Sequence, residues 1–360
     1  MNTVTLKVLI VDDSAMYRKI IQSVLEVCPG VEIVGNADNG KIALTKIRSV
    51  KPDLVILDIE MPEMDGLEVL EYLRRESSDT AAIVFSTYTT EGARITLRAL
   101  ELGAFDFISK PRSGNLEENM KLFKSGIEPM IDALLRQKTV RTAVKEIPFL
   151  HRNRIQTSPI FVPQSTHHEK SRAVAIGIST GGPVALSKLL PKIPADIGIP
   201  LFIVQHMPAM FTEALAVKLN AISQIWVREA VDGEEIYVNT AYIAPGGRQM
   251  KVEQSAGSGR LIIRLTDDSP ENNCKPSADY LFRSIAYCYG RWATGVIMTG
   301  MGYDGSEGLK CMKECGAVII AQDETSCAVY GMPRKPVELG IVDVITPLEQ
   351  MAEEICRTVR

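Results

Sequence analysis

Five short apolar runs mark the first part of the chain: Leu6–Val11, Val31–Gly35, Leu54–Leu57, Ala82–Phe85 and Phe105–Ile108. Between them, apolar residues recur at helical spacing, as in Met16, Ile20, Ile21, Val24 and Leu25. Near-continuous apolar strands alternating with helices predict a parallel sheet covered on both faces. The alternation returns after residue 170, with candidate strands at Ala173–Ile178, Leu201–Val204, Tyr242–Ala244, Gly295–Thr299 and Ala317–Ala321. One segment, roughly Gly233–Leu265, reads instead as hairpins, because Gly246-Gly247 and then Gly257 and Gly259 interrupt alternating residues. The pattern predicts two α/β units, the first a doubly wound five-stranded parallel sheet. The second is mostly parallel with an antiparallel hairpin region.

The stretch between them has a different texture. Ile127, Met130, Ile131, Leu134 and Leu135 fall at helix spacing, and Pro129 within that stretch marks a helix start or a kink. From Arg141 to Arg172 come Pro148, Pro159, Pro163 and the pair His167-His168, with no sustained apolar period. That reads as a linker. The expected boundaries are 5–124 for the first domain, 125–170 for a helical and then flexible linker, and 171–360 for the second domain. A length of 360 residues accords with two domains.

Composition narrows the class. Apolar residues make up 46% and charged residues 23%, ordinary for a globular chain. A net charge of −4 argues against a nucleic-acid binder that works through bulk positive charge. Residues 1–124 carry 19 acidic and 15 basic side chains, and residues 125–170 carry 4 and 7, so the linker is the basic segment. Seven scattered cysteines include no Cys-x-x-Cys pair, which disfavours a zinc ribbon or a disulfide framework and fits a reducing compartment. The apolar stretch of Leu6 and Val8–Val11 is too short for a signal-peptide core, and no run approaches the ~18 apolar residues of a membrane span. The expectation is a soluble cytoplasmic protein without membrane insertion.

The candidate chemistry sits at strand ends. Asp12 and Asp13 follow the first strand, Asp58 the third, Ser86 and Thr87 the fourth, and Lys110 the fifth. In a doubly wound sheet these ends share one rim, where ligands gather. Any one such Asp could merely cap a helix. Three carboxylates at one rim repel one another unless a cation sits among them, and hard oxygen donors suit Mg²⁺. A carboxylate can also become an aspartyl phosphate, and Asp58, between the Asp12-Asp13 pair and Lys110, is the best candidate.

Residues 6–124 resemble a response-regulator receiver domain. The matching pieces are Val8-Leu-Ile-Val-Asp-Asp-Ser14, Asp53-Leu-Val-Ile-Leu-Asp58, Met61-Pro-Glu-Met-Asp-Gly66 and Gly103-Ala-Phe-Asp-Phe-Ile-Ser-Lys-Pro111. The resemblance implies a flavodoxin-like fold, phosphorylation of Asp58 by a histidine kinase, and Mg²⁺ held by Asp12, Asp13 and Asp58. Lys110 would contact the phosphoryl group. Ser86, preferred to Thr87 because it directly follows the strand, would be the switch hydroxyl, and Phe107 the aromatic switch residue.

In the second unit, Ala173–Ser179 ends a strand and Thr180-Gly-Gly-Pro183 opens a helix, so Ser179 lies at an exposed turn beside a helix N-terminus. His206 follows the next strand and is the one histidine outside the linker, since the others are His151, His167 and His168. Asp304 lies in the loop after strand Gly295–Thr299. Nucleophile, base and orienting carboxylate make a triad whatever their chain order, but Ser, His, Asp is not the order of α/β-hydrolases. A lone serine or histidine there could equally be a cap or a structural residue. A competing reading takes Gly300-Met-Gly-Tyr-Asp-Gly305 as a dinucleotide fingerprint, with Asp323 as its ribose acid. Asp304 would then oppose the pyrophosphate, and only 55 residues remain after Gly305 for the rest of such a domain.

Residues 171–360 resemble the catalytic domain of chemotaxis protein-glutamate methylesterases. The segments are Gly177-Ile-Ser-Thr-Gly-Gly-Pro183, Gln205-His-Met-Pro208, Tyr242-Ile-Ala-Pro-Gly246, Pro276-Ser-Ala-Asp279, Met298-Thr-Gly-Met-Gly-Tyr-Asp-Gly305 and Ala321–Pro333. The resemblance implies that Ser179, His206 and Asp304 are the triad and that Thr180 and the Met301 backbone line the site. It implies demethylation of glutamate methyl esters on chemoreceptors, deamidation of glutamines as well, and no cofactor for the ester reaction. It also implies an intramolecular contact through which the unphosphorylated receiver covers the triad. The rival reading is a receiver fused to a binding module, of which a DNA-binding output is the commonest form. An output region of 21 acidic and 18 basic residues, with no basic helix stripe, disfavours DNA.

Overall fold

A computed structural model describes residues 4–110, 116–145, 169–257 and 259–359. The chain separates into two compact units, Met1–Ile155 and Gln156–Arg360. Pro111 and the stretch holding His151, Pro148, Pro159, Pro163 and His167-His168 lie outside the described residues.

The first unit runs β1 (Leu6–Val11), α1 (Ala15–Leu25), β2 (Val31–Ala37), α2 (Gly40–Val50), β3 (Leu54–Asp58), α3 (Gly66–Arg75), β4 (Ala81–Ser86), α4 (Thr90–Glu101), β5 (Asp106–Ser109) and α5 (Leu116–Lys145). Its sheet has the order β2-β1-β3-β4-β5 with every pair parallel. The central strands β1, β3 and β4 are buried on both faces, which is why they read as unbroken apolar runs. Helices α1 to α4 begin at side-chain caps from Ser14, Asn39, Asp65 and Thr89, close behind the strands. These caps satisfy the free N–H groups of the first turn, so each chain reversal leaves polar residues at the carboxyl rim of the sheet.

Residues placed at the head of the linker belong instead to α5. Phe123, Ile127, Met130, Ile131 and Leu134 are buried, and the helix packs on α1, β1 and β5. The apolar stripe closes the open face of the sheet beside β5, and Pro129 is carried inside the helix.

The second unit runs β6 (Ala173–Ile178), α6 (Gly182–Leu189), β7 (Leu201–Gln205), α7 (Phe211–Ile222), β8 (Trp226–Glu229), β9 (Thr240–Ile243), β10 (Gln249–Gln254), β11 (Leu261–Thr266), α8 (Ala278–Tyr289), β12 (Ala293–Ile297), α9 (Ser306–Glu314), β13 (Val318–Gln322), α10 (Arg334–Glu338), β14 (Val344–Thr346) and α11 (Met351–Val359). Seven strands form a parallel sheet in the order β14-β13-β12-β6-β7-β9-β8. From β6 the chain first proceeds through β7 to one edge and later, from β12, to the other. The strand order therefore reverses at the β6–β12 boundary, the place where open α/β sheets form a crevice.

The hairpin expectation is half right. Strands β10 and β11 pair antiparallel, turning through the Gly257–Gly259 region. Gly246-Gly247 is no hairpin turn: it carries the chain from β9, in the main sheet, to β10 in the small one. A side chain at Gly246 would strike the backbone of Met207–Ala209, so glycine is there for close approach. Two edge strands escaped the pattern. β8 is a short polar-apolar alternation, and β14 has three residues.

Ile131 is 2% exposed on the inner face of α5. Ile131→Ala is expected to destabilise the first unit by about 2–5 kcal/mol through lost apolar burial and a residual cavity. Faster hydrogen exchange of the β1 and β3 amides measures it; unchanged exchange would mean that α5 adds nothing to this core.

Candidate active site

The rim of the first unit gathers acids around one lysine. Asp12 and Asp58 are buried, at 0% and 1% exposure, while Asp13 is exposed. Donor oxygens of Asp12, Asp13 and Asp58 lie within 4.8 Å of one another. Lys110 Nζ stands 2.6 Å from Asp58 Oδ2 and 3.3 Å from Asp12 Oδ2, and 5.0 Å from the centre of the Tyr17 ring. The one ammonium is thus shared between the two buried carboxylates. Burial pushes Asp58 up to about 6 against the pull of Lys110, and burial raises Asp12 as well. Two desolvated carboxylates that share one cation, with a third carboxylate beside them, fit a hard divalent ion such as Mg²⁺. A side chain at Gly66 would strike the Asp58 carbonyl, so the glycine lets α3 start against the strand end that carries the acid.

Ser86 and Phe107 are placed less simply. The Ser86 hydroxyl is buried and accepts a 2.5 Å hydrogen bond from Thr96 Oγ1, turned toward α4. Thr87 is half-buried one residue on. Phe107 is buried on β5, where it pairs in register with Val84.

The crevice of the second unit pairs two of the three strand-end residues singled out there, His206 and Asp304, while Ser179 stands at the end of the neighbouring strand β6. Ser179 follows β6, and its N–H donates to Thr299 O at 2.9 Å. The left-handed turn needed to enter α6 falls at Gly181 (φ +78°), not at the serine. A side chain at Gly300 would come within 2.6 Å of Ser179 Cβ, so glycine there keeps the β12 loop close to the serine. The Met301 N–H has no hydrogen-bond partner among the described residues, while Thr180 O accepts from Thr299 Oγ1 at 2.9 Å.

His206 follows β7, and its Nε2 lies 2.8 Å from Asp304 Oδ2. Asp304 is 2% exposed. It accepts from Ser277 Oγ at 2.7 Å, Asn272 Nδ2 at 3.0 Å and Ala278 N–H at 2.6 Å, the last at the start of α8. Burial opposes the imidazolium most strongly, but the interactions with Asp304 and Cys274 together outweigh it and hold His206 well above the ordinary histidine range. Burial likewise opposes the Asp304 charge, yet the hydrogen bonds from His206, Asn272 and Ser277 hold it well below the usual carboxylate range. Nε2 is therefore committed to Asp304, and Nδ1 is the ring nitrogen left for proton transfer. Among the described residues no hydrogen bond joins Ser179 Oγ to the ring. The Gly300–Gly305 loop wraps around Asp304 and turns its carboxylate inward, which removes the dinucleotide reading.

The comparisons agree with this pairing of units. A family model for the CheB methylesterase matches residues 174–355, and one for the response regulator receiver domain matches residues 8–121. The chain belongs to the CheB methylesterase family. It is 47% identical, over 99% of its length and 99% of the relative's, to the protein-glutamate methylesterase/protein-glutamine glutaminase of Desulfotalea psychrophila. The Halalkalibacterium halodurans protein of the same name is 43% identical over 98% of each chain. The Thermotoga maritima CheB methylesterase catalytic domain superposes with a TM-score of 0.50 at 36% identity, covering 52% of this chain and 99% of that one.

Sequence reasoning missed the residues that hold Asp304. Ser277 caps α8 and Asp279 follows it, a cap signal inside the quoted Pro276–Asp279 segment. Asn272 bridges Asp304 to a second buried acid, Asp279, at 2.8 Å, and burial raises Asp279. Nothing in its local sequence marks Asn272, which has φ +51°.

Because His206 binds its proton more tightly when folded, its contribution to stability is complete below about pH 6.5 and is lost as pH climbs through the raised folded value. Asp304→Asn is expected to lower the His206 titration midpoint by at least about one pH unit, roughly 1.4 kcal/mol. NMR titration of the ring protons reads this, and an unmoved midpoint would show that Asp304 does not set the imidazole's affinity.

Proposed function

We propose that the chain is a phosphorylation-controlled serine hydrolase that removes methyl groups from glutamate γ-methyl esters of chemoreceptors, and that Ser179, His206 and Asp304 carry the reaction. The observation that carries the reading is the imidazole held at 2.8 Å by a buried carboxylate, in the crevice that also bears the half-buried, not exposed, Ser179. Ser179 Oγ attacks the ester carbonyl carbon while Nδ1 of the neutral imidazole, the form that gains population as pH rises toward the raised His206 value, takes its proton. The arrangement reverses the template in which Nε2 faces the serine. Backbone N–H groups near Thr180 and Met301 receive the developing oxyanion. Collapse breaks the bond to methoxide, which leaves as methanol with the proton from His206. Water then attacks the Ser179 acyl group, His206 accepts its proton and returns it to Oγ, and glutamate is released. The same attack on a glutamine side chain expels ammonia and accounts for a glutaminase activity.

In the receiver, Asp58 is the phosphoryl acceptor, a histidine kinase the donor, and Lys110 the contact to the phosphoryl oxygens. Asp12, Asp13 and Asp58 would hold Mg²⁺, whose charge would offset that of the phosphoryl group and draw the Asp58 pKa down. Ser86 and Phe107 are the switch residues: the hydroxyl now tied to Thr96 would turn toward the phosphoryl group. Phosphorylation of Asp58 raises the activity of the second unit by shifting the receiver's conformational equilibrium. The reading places the enzyme in the cytoplasm, in accord with the absence, among the described residues, of any helix long and apolar enough to cross a membrane.

Methanol release from methylated receptor membranes, with and without a small-molecule phosphodonor plus Mg²⁺, tests both halves. Release is expected to rise with phosphodonor. Ser179→Ala should lower it by at least about a thousandfold with the far-UV circular dichroism unchanged; undiminished release would sink the triad. Asp58→Asn should keep the basal rate and lose the phosphodonor response, and a retained response would move phosphorylation elsewhere.

A further inference from the structure

The ring nitrogen of His206 that faces away from Asp304 has a neighbour that the hydrolytic reading does not use. Cys274 Sγ stands 3.8 Å from His206 Nδ1. Cys274 lies in the loop before α8, and its thiol also reaches Asn272 O at 3.5 Å. Both side chains are half-buried, so an ion in solution can reach them. Donor atoms of His206, Cys274 and Asp304 lie within 4.8 Å of one another.

The spacing fits one element well. A thiolate sulfur at about 2.3 Å and an imidazole nitrogen at about 2.1 Å from a tetrahedral zinc ion stand roughly 3.6 Å apart. The observed 3.8 Å needs an adjustment of only about two tenths of an ångström to reach that geometry. The outer shell is in place as well. Asp304 takes the opposite ring nitrogen and fixes the ring, the carboxylate–histidine arrangement that commonly supports a zinc ligand. Soft sulfur with imidazole favours Zn²⁺, whereas the all-oxygen cluster of Asp12, Asp13 and Asp58 favours Mg²⁺. The two units thus offer donor sets that discriminate between the two ions.

We propose that His206 Nδ1 and Cys274 Sγ form an inhibitory Zn²⁺ site, in which the ion occupies the nitrogen that must accept the Ser179 proton. The inhibition rests on the hydrolase reading above; the metal site itself does not. On binding, the S–H bond of Cys274 and the Nδ1–H bond of the His206 imidazolium break, S–Zn and N–Zn bonds form and both protons pass to solvent, with no change of oxidation state. Two protein ligands leave the other positions to water, so the ion is held reversibly and a chelator removes it.

The test uses the full-length, metal-free protein and two readouts. Co²⁺, a spectroscopic substitute for Zn²⁺, should give a thiolate-to-metal charge-transfer band at one equivalent. Zn²⁺ should inhibit methanol release, and EDTA should restore it. In Cys274→Ser and Cys274→Ala, with rates taken relative to each variant's own metal-free rate, the apparent affinity should fall at least about tenfold in both readouts. Circular dichroism verifies that the variants fold. A Co²⁺ band that persists in both variants would assign the metal to another cysteine and overturn the proposal. So would a Cys274-dependent band without inhibition, or no band at all. Absence of hydrolysis in the metal-free wild type would instead count against the esterase reading, with the Co²⁺ band still deciding the site.

Discussion

The Asp304 carboxylate is charged and almost wholly withdrawn from water. Removing an ion from water costs several kcal/mol unless partners replace the lost hydration. Here the partners come from separate parts of the chain: His206 after β7, Asn272 and Ser277 from the loop before α8, and the first N–H of α8 itself. None of them alone would stabilise the buried charge, and together they fix the loop after β12 against the helix. The positive end of α8 adds to the same balance. Ordering of the imidazole is thus a by-product of neutralising one buried ion.

The two sites meet burial in different ways. In the second unit the charge is balanced within the chain, so the carboxylate and imidazole are held in place before any substrate arrives. In the first unit Asp12 and Asp58 share a single ammonium. Burial raises the Asp58 pKa, and the excess of carboxylates over cations suits the cluster to an added cation. One site has its charge compensated by partners within the chain, and the other gathers more carboxylates than cations. The thiol of Cys274 touches the second balance from its edge, beside Nδ1 of His206.

Much of this was legible along the chain. Strands β1, β3, β4, β6, β7, β12 and β13 announced themselves as apolar runs because parallel strands covered on both faces admit few polar residues. With the strands located, their carboxyl ends located Asp12, Asp58, Lys110, Ser179, His206 and Asp304. Edge strands β8 and β14 were not legible, since an edge needs only half its residues apolar. The stripe on α5 was read as a helix but assigned to the linker, because periodicity says that a face is buried and not what buries it.

By itself the sequence determined the alternation of elements and the residue types available at each strand end, because local periodicity and capping are properties of neighbours in the chain. Only the tertiary structure decided which ring nitrogen of His206 meets Asp304, that Asn272 and Ser277 hold that carboxylate, that Gly246 serves close approach, and that Cys274 meets the other ring nitrogen. These are distances between residues tens of positions apart, set by packing of α8 and its preceding loop against the sheet. A one-dimensional pattern carries no record of them.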